Sequence, residues 1–297
     1  MSQPDQSRPV IIIGGASRAG YALAEVMAAA PIVRIVRAPS GLVGERVVPA
    51  YDGVPGDLAL DGATIINCAG TPLGDAAGLA RANVDVPLAW ARRAVQEGAA
   101  RFVQISSFSI YGPTADITGD TVANPISDYG RSKLAAEQAL ERCGLGDRLT
   151  ILRVPILVGG GPDKLAQLIN LTRRTGIVPA SANPAPRSML SYDGLAHTIA
   201  GLIDAARGGT LAAADPEPFT PHLLADIARQ AGVPARIVTV PRFALAAVRR
   251  VAPSVHASLF QPNLLDSAAN AAPQHLPFER LRDVVARLLR IAPNSKG

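Results

Sequence analysis

An α/β protein built on a doubly wound parallel sheet is what this sequence predicts, on three observations. Strand-like and helix-like segments alternate through the first half, the first strand runs into a glycine turn that opens a helix, and 48% of residues are apolar against 18% charged. Val10–Ile13 is a β-branched run ending at Gly14-Gly15, and a helical stretch follows over 19–30. Strands are expected at 33–36, 47–50 and 64–68, the last ending in Asn67-Cys68-Ala69-Gly70. A helix over 84–97 leads into a strand at 101–106, and a helix over 128–142 leads into a strand at 149–154. Beyond Gly159 proline and glycine become frequent and the rhythm loosens. Helices are expected at 165–174 and 195–206, and a strand at 210–214. An amphipathic helix closes the chain, with Phe278, Leu281, Val284, Val285, Leu288 and Ile291 on one side. The ligand crevice of such a sheet lies at the carboxyl ends of its strands.

At 297 residues the chain is long enough for one large or two intimate domains, at roughly 150 residues each. The net charge of +5 comes from scattered basic residues, and aromatics are only 4%, so stacking platforms for nucleic acid are lacking. Cys68 and Cys143 make no disulfide framework, and His197, His222, His256 and His275 stand apart, so no metal site is expected. No apolar run approaches the ~18 residues that cross a bilayer. The polar start, Met1 to Pro9, lacks the layout of a signal peptide. The expectation is a cytoplasmic protein with no membrane and no nucleic-acid partner.

The glycine turn reads Gly14-Gly15-Ala16-Ser17-Arg18-Ala19-Gly20. Glycine at a strand-to-helix turn lets backbone approach a pyrophosphate, and the helix N-terminus supplies N–H donors and positive potential. Gly14, Ser17, Arg18 and Gly20 are therefore candidate contacts to a dinucleotide. An acidic residue at the end of the second strand would select NAD through the ribose hydroxyl. Here the stretch is Val33-Arg34-Ile35-Val36-Arg37, with no acid, and Arg37 is placed to hold a 2′-phosphate. NADP(H) is the expected cofactor, with NAD(H) kept as the alternative.

Two segments carry the chemistry. Ser107 follows a strand in Gln104-Ile-Ser-Ser-Phe-Ser-Ile-Tyr111-Gly112, and Tyr129 and Lys133 open a helix in Pro125-Ile-Ser-Asp-Tyr-Gly-Arg-Ser-Lys133. Four residues apart, Tyr129 and Lys133 share a helical face. An ammonium beside a phenol is expected to lower the phenol pKa of about 10. Such a tyrosine exchanges a proton with an alcohol or carbonyl oxygen, while Ser107 hydrogen-bonds the same oxygen. Only Lys133, Lys164 and Lys296 are lysine in an arginine-rich chain, and a guanidinium does not substitute for a compact ammonium at this spot.

With these residues in view, the chain resembles an extended short-chain dehydrogenase/reductase of the NAD-dependent epimerase/dehydratase family. The matching pieces are the Gly14 turn, Asn67-Cys-Ala-Gly70, Asn83-Val84, Ser107 with Tyr111-Gly112, the Pro125 to Lys133 motif and Leu152-Arg153-Val-Pro155. Arg187-Ser-Met-Leu-Ser-Tyr-Asp193 is similar to the family segment that contacts a nucleotide-sugar pyrophosphate. The similarity spans most of residues 8 to 215. It implies a Rossmann-type core over 8–160 and 190–215, and a small C-terminal α/β substrate domain over 161–189 and 216–297. It also implies that Ser107, Tyr129 and Lys133 are the catalytic trio, with Lys133 on the nicotinamide ribose too. Asn67, Ala69 and Gly70 would line the cofactor, Pro155 and Ile156 would lie near the nicotinamide, and Ser107 and Arg187 would contact the substrate. A homodimer through the helices at 84–97 and 128–142 is a further implication.

The chain departs from the family pattern in three places. Ser17 stands where the turn usually has glycine, Ile156-Leu-Val-Gly-Gly160 lacks the substrate-binding Asn of sugar-nucleotide epimerases, and the loop 51–61 is too short for a full helix. The C-terminal third is similar to the substrate domain of enzymes that reduce UDP-4-keto-6-deoxy amino sugars. The function expected is thus an NAD(P)-dependent oxidoreductase acting at C4 of a nucleotide sugar, as a 4-ketoreductase in cell-surface polysaccharide synthesis. A UDP-glucose-like 4-epimerase is the alternative, and a non-catalytic NADP(H)-binding sensor a more distant one.

Overall fold

The structure, a computed structural model, describes residues 8–251, 262–272 and 278–290. These fall into two compact units. The first comprises the described residues of Met1–Gly112, Asp120–Val154 and Leu195–Ala213, and the second those of Pro113–Gly119, Pro155–Gly194 and Ala214–Gly297.

Seven strands form the sheet of the first unit: β1 (Val10–Ile13), β2 (Ile32–Val36), β3 (Glu45–Val47), β4 (Thr64–Asn67), β5 (Arg101–Ser107), β6 (Leu149–Val154) and β7 (Gly209–Ala212). Their order is β7-β6-β5-β4-β1-β2-β3, and every pairing is parallel. This is a Rossmann-type sheet. Strand order reverses between β1 and β4, which puts the ligand crevice at their carboxyl ends. A parallel sheet covered on both faces needs apolar strands without alternation, and β1 and β4 are buried at every position.

Three helices matter for the site: α1 (Arg18–Val26), α2 (Val86–Glu97) and α3 (Asp128–Glu141). The apolar faces of α2 and α3 join the strands in a core containing Ile11, Ile13, Ile65, Trp90, Phe102, Leu140 and Ile151. The loop 51–61 forms no helix, and α2 holds it down instead. Trp90 Nε1 donates to the Tyr51 carbonyl at 2.6 Å, Arg93 to the Leu58 carbonyl at 2.7 Å, and the Glu97 carboxylate accepts from Leu60 N–H at 2.9 Å.

Several boundaries differ from the sequence expectation. The first helix ends at Val26 rather than at 30, since Met27 caps it and Pro31 already leads into β2. The third strand lies at 45–47 rather than 47–50, because its register is set by pairing Arg34 with Glu45. Ahead of α2 stand a short helix, Ala76–Ala80, and a π-helical turn, Arg81–Asp85, which apolar periodicity does not mark.

The second unit has three two-stranded parallel ladders: Ile156–Val158 with Met189–Ser191, Ile177–Ala180 with Arg236–Thr239, and Asp116–Ile117 with Leu264–Leu265. Its core is helical, with Leu165, Ile169, Leu224, Ile227, Leu281, Val284 and Val285 from the helices Lys164–Thr175, Pro221–Gln230 and Leu281–Arg290. Leu288 is partly buried against it, and Ile291 lies outside the described residues. The Asp215 carboxylate accepts from Leu281 N–H at 2.8 Å and pins the start of the last helix. Among the described residues no helix is long and apolar enough to cross a membrane.

Candidate active site

The β1–α1 turn is built by steric exclusion. Gly14 has φ +80°, and a Cβ there would stand 3.0 Å from the Ala69 nitrogen. A Cβ on Gly20 would stand 2.6 Å from the Gly14 oxygen, so α1 packs onto the turn only with glycine at its second helical row. Ser17 explains its own departure from the family pattern. Its backbone is extended (φ −76°, ψ 162°), a conformation open to any residue, and its Oγ caps the helix by accepting from Gly20 N–H at 3.0 Å. Gly14 and Gly15 N–H both donate to the Ile35 carbonyl at 3.0 Å. The donors this turn leaves for an anion are the N–H groups of Arg18 and Ala19, which precede the first intrahelical bond. A dinucleotide pyrophosphate fits that geometry, with the exposed Arg18 side chain at the same helix start.

At the end of β4, Asn67 turns inward. Its side chain donates to Gln104 Oε1 at 2.9 Å and accepts from Ala69 N–H at 3.1 Å, which shapes the backbone leading to exposed Gly70. Asn83, on the π-helical turn, is a clamp. Its amide accepts from Thr71 N–H, donates to the Thr71 carbonyl and donates to Ser132 Oγ, each at 2.9 Å. Ser132 Oγ donates on to the Tyr129 carbonyl at 2.8 Å. One buried amide thus ties the strand-end loop to the helix that carries Tyr129 and Lys133.

Ser107, Tyr129 and Lys133 come together where β5 ends and α3 begins. Ser127 caps α3 by accepting from Gly130 N–H at 3.0 Å, which fixes Tyr129 in the first turn. A hydrogen bond joins Ser107 to the Tyr129 hydroxyl. Lys133, 5% exposed, donates from Nζ to the Ile105 carbonyl at 2.6 Å. Burial draws its ammonium down to about 8, opposed by the charge of Glu137. Burial likewise pushes the Cys68 thiol up to about 12. The expected lowering of the Tyr129 phenol by Lys133 needs correction: burial pushes the phenol up, and the opposing influence is the Ser107 hydrogen bond. The Lys133 ammonium directs its hydrogen bond to the Ile105 carbonyl and not to the phenol.

A second layer of polar residues lies beside the trio. Glu137 is 1% exposed, accepts from Ser106 Oγ and pairs with the Arg153 guanidinium at 2.7 Å. Arg153 also donates to the Tyr111 hydroxyl at 3.2 Å. The sequence motif Leu152-Arg153 marked the strand, yet nothing local said that the arginine meets Glu137. The signal available was the i, i+4 step from Lys133 to Glu137.

The other candidates are placed as follows. Arg37 is exposed just past β2, its guanidinium 5.4 Å from the Tyr51 ring centroid. Arg34, assigned no role from sequence, reaches the Gly15 carbonyl at 3.5 Å and lies 5.5 Å from the Tyr21 ring centroid. Pro155, Ile156 and Arg187 belong to the second unit. There Arg187 is 5% exposed rather than a surface residue, and lines a cleft with Pro179, Ser181, Pro184 and Phe219. Burial draws its guanidinium down to about 10. Among the described residues no group of three or more His, Cys, Asp or Glu is placed to hold a metal.

A glycine turn and a reversal of strand order beside it define a Rossmann-type α/β fold, with a Ser–Tyr–Lys cluster at the next strand end. Residues 59–175 match the NAD dependent epimerase/dehydratase family. No curated protein matches the chain. Solved structures do. WbmH of Bordetella bronchiseptica, in complex with NAD+, superposes with a TM-score of 0.71 at 19% identity, over 94% of this chain and 96% of that one. UDP-glucuronic acid 4-epimerase of Bacillus cereus, in complex with NAD, gives 0.69 at 14% identity, over 94% of each chain. A dTDP-4-dehydrorhamnose reductase of Clostridium acetobutylicum gives 0.62 at 20% identity, over 78% of this chain and 83% of that one. At these identities the likeness is one of fold.

Proposed function

We propose that this enzyme reduces a 4-keto group on a nucleotide sugar, with a UDP-4-keto-6-deoxy (amino) sugar as substrate and NADPH as reductant. The observation that carries this reading is the Ser107–Tyr129 pair with the phenol held protonated by burial. A protonated phenol is a proton donor at neutral pH, as ketone reduction requires. A bound reduced nicotinamide supplies the hydride. Tyr129 gives its proton to the C4 oxygen, Ser107 holds that oxygen in place, and the Lys133 ammonium compensates the phenolate left behind. Exposed Arg37, with no acid between Ile32 and Val36, favours a 2′-phosphate over a bare ribose hydroxyl. Buried Arg187 is the residue for the sugar's diphosphate. On this reading the enzyme works in the cytoplasm as a homodimer in polysaccharide synthesis.

The test is consumption of NADPH on addition of the keto sugar, followed by absorbance with purified protein. Tyr129→Phe is expected to lower turnover at least ~100-fold with NADPH binding kept. Wild-type turnover in that variant would sink the assignment. A second reading, 4-epimerisation, is favoured by the NAD found in two similar structures. Near-stoichiometric NAD released from the denatured protein would establish it instead, and would reverse the role given to Arg37.

A further inference from the structure

We propose that Tyr51 is a positioning residue for the 2′-phosphate of NADP(H), its ring holding the Arg37 guanidinium while every N–H donor stays open. The inference deepens the cofactor reading given above and rests on it. The Arg37 guanidinium lies 5.4 Å from the Tyr51 ring centroid, within the range of a cation–π contact. Among the described residues it has no hydrogen-bond or ion-pair partner besides. A carboxylate or carbonyl would occupy the donor fork that recognises a phosphate, whereas a ring face attracts the cation and leaves the fork unused. An arginine held in advance also loses less side-chain freedom when an anion binds.

The chain around Arg37 keeps it in that state. Glu45, which β3 brings alongside Arg34 of β2, is committed to the connection between the two strands. Its carboxylate accepts from Ser40 N–H at 2.9 Å, Ser40 Oγ at 2.6 Å and Leu42 N–H at 3.2 Å. Asp57, in the loop 51–61, is paired with Arg46, and Glu97 with Arg93. Tyr51 itself is fixed through its backbone. Trp90 Nε1 donates to its carbonyl at 2.6 Å, and its partly buried side chain packs against the core of the first unit. Arg93 and Glu97 hold Leu58 and Leu60 further along the same loop. The loop too short for a helix is therefore a pinned platform. It carries one aromatic ring to the end of β2, where the ribose of a dinucleotide lies in such a sheet.

The test is calorimetric titration of NADPH and of NADH into the full chain, freed of any bound nucleotide. Tyr51→Leu should weaken NADPH about 2–5-fold and leave NADH unmoved. Leucine keeps apolar packing, and the bond from Trp90 goes to a backbone carbonyl that the substitution leaves in place. Tyr51→Phe, which retains the ring, should bind both as wild type does. Arg37→Ala should weaken NADPH about tenfold or more, and in that background Tyr51→Leu should add nothing, because the ring acts only through the guanidinium. Equal losses for NADPH and NADH in Tyr51→Leu would show that the ring merely shapes the loop. An NADPH-to-NADH ratio within ~1.5-fold of wild type in that variant overturns the proposal as well. If Arg37→Ala binds NADPH as wild type does, the cofactor reading fails and this one with it. A selective loss at Arg37 with none at Tyr51 overturns this one alone. A failure of the ketoreductase reading appears elsewhere, as absent NADPH consumption with the binding ratio kept.

Discussion

The two units solve the burial of apolar surface differently. In the first, seven strands share one parallel sheet, and central strands such as β4 are paired on both edges and buried on both faces. In the second, the strands form isolated pairs, Asp116 meeting Leu264 and Ile177 meeting Arg236 across long stretches of chain, while three helices supply the core. The difference teaches where a backbone hydrogen bond matters. In a continuous sheet a lost ladder bond sits among buried groups without water to replace it. In a two-stranded ladder one edge is left unpaired, and water can take the place of a lost bond.

The sharpest way to break this comparison is proline. Ile66→Pro, in the middle of β4, should abolish the cooperative unfolding transition, since it removes a donor from a fully buried strand. Leu264→Pro removes the bond from Leu264 N–H to the Ala115 carbonyl and should cost only ~1–2 kcal/mol in urea unfolding. Equal effects would mean the ladders are as integral as the sheet.

Truncation of the two cores should, by contrast, give similar losses. Phe102→Ala in the first and Leu224→Ala in the second, both fully buried, should each cost ~2–5 kcal/mol by urea titration. A loss under ~1 kcal/mol at Leu224 would show that the helical core collapses around the gap.

The smallest effect tests the site against its own unit. Lys133 has a folded pKa of about 8, depressed from 10.5, so its contribution to stability is present above 10.5 and is lost as pH falls through 8. Lys133→Met should therefore lift this penalty at pH 7, less the loss of the hydrogen bond to the Ile105 carbonyl, while removing turnover. The gain should fade as pH approaches 10.5, as read by thermal unfolding across pH. A gain independent of pH would mean that shape rather than charge is what methionine improves.

Much of the first unit was legible in the sequence because its signals are local. Val10–Ile13 running into Gly14, the four-residue step from Tyr129 to Lys133, and Ser107 at a strand end are short-range patterns, and the structure brings the trio together. The π-helical turn that carries Asn83 was not legible, since its side chain is satisfied by Thr71 and Ser132, which sequence separates from it. Nor were the ladders at 156–158, 177–180 and 236–239, whose three- and four-residue strands are too short to show a period.

By itself, then, the sequence determined the alternating α/β core, the glycine turn and the spacing that puts Ser107, Tyr129 and Lys133 at one strand end and helix start, all of which depend on neighbours within a few residues. The tertiary structure decided what those side chains feel. Burial, a sum over atoms from many elements, sets the direction in which Tyr129 and Lys133 shift. The pairing of Ser106 and Arg153 around Glu137 exists only because β5 and β6 lie side by side in one register.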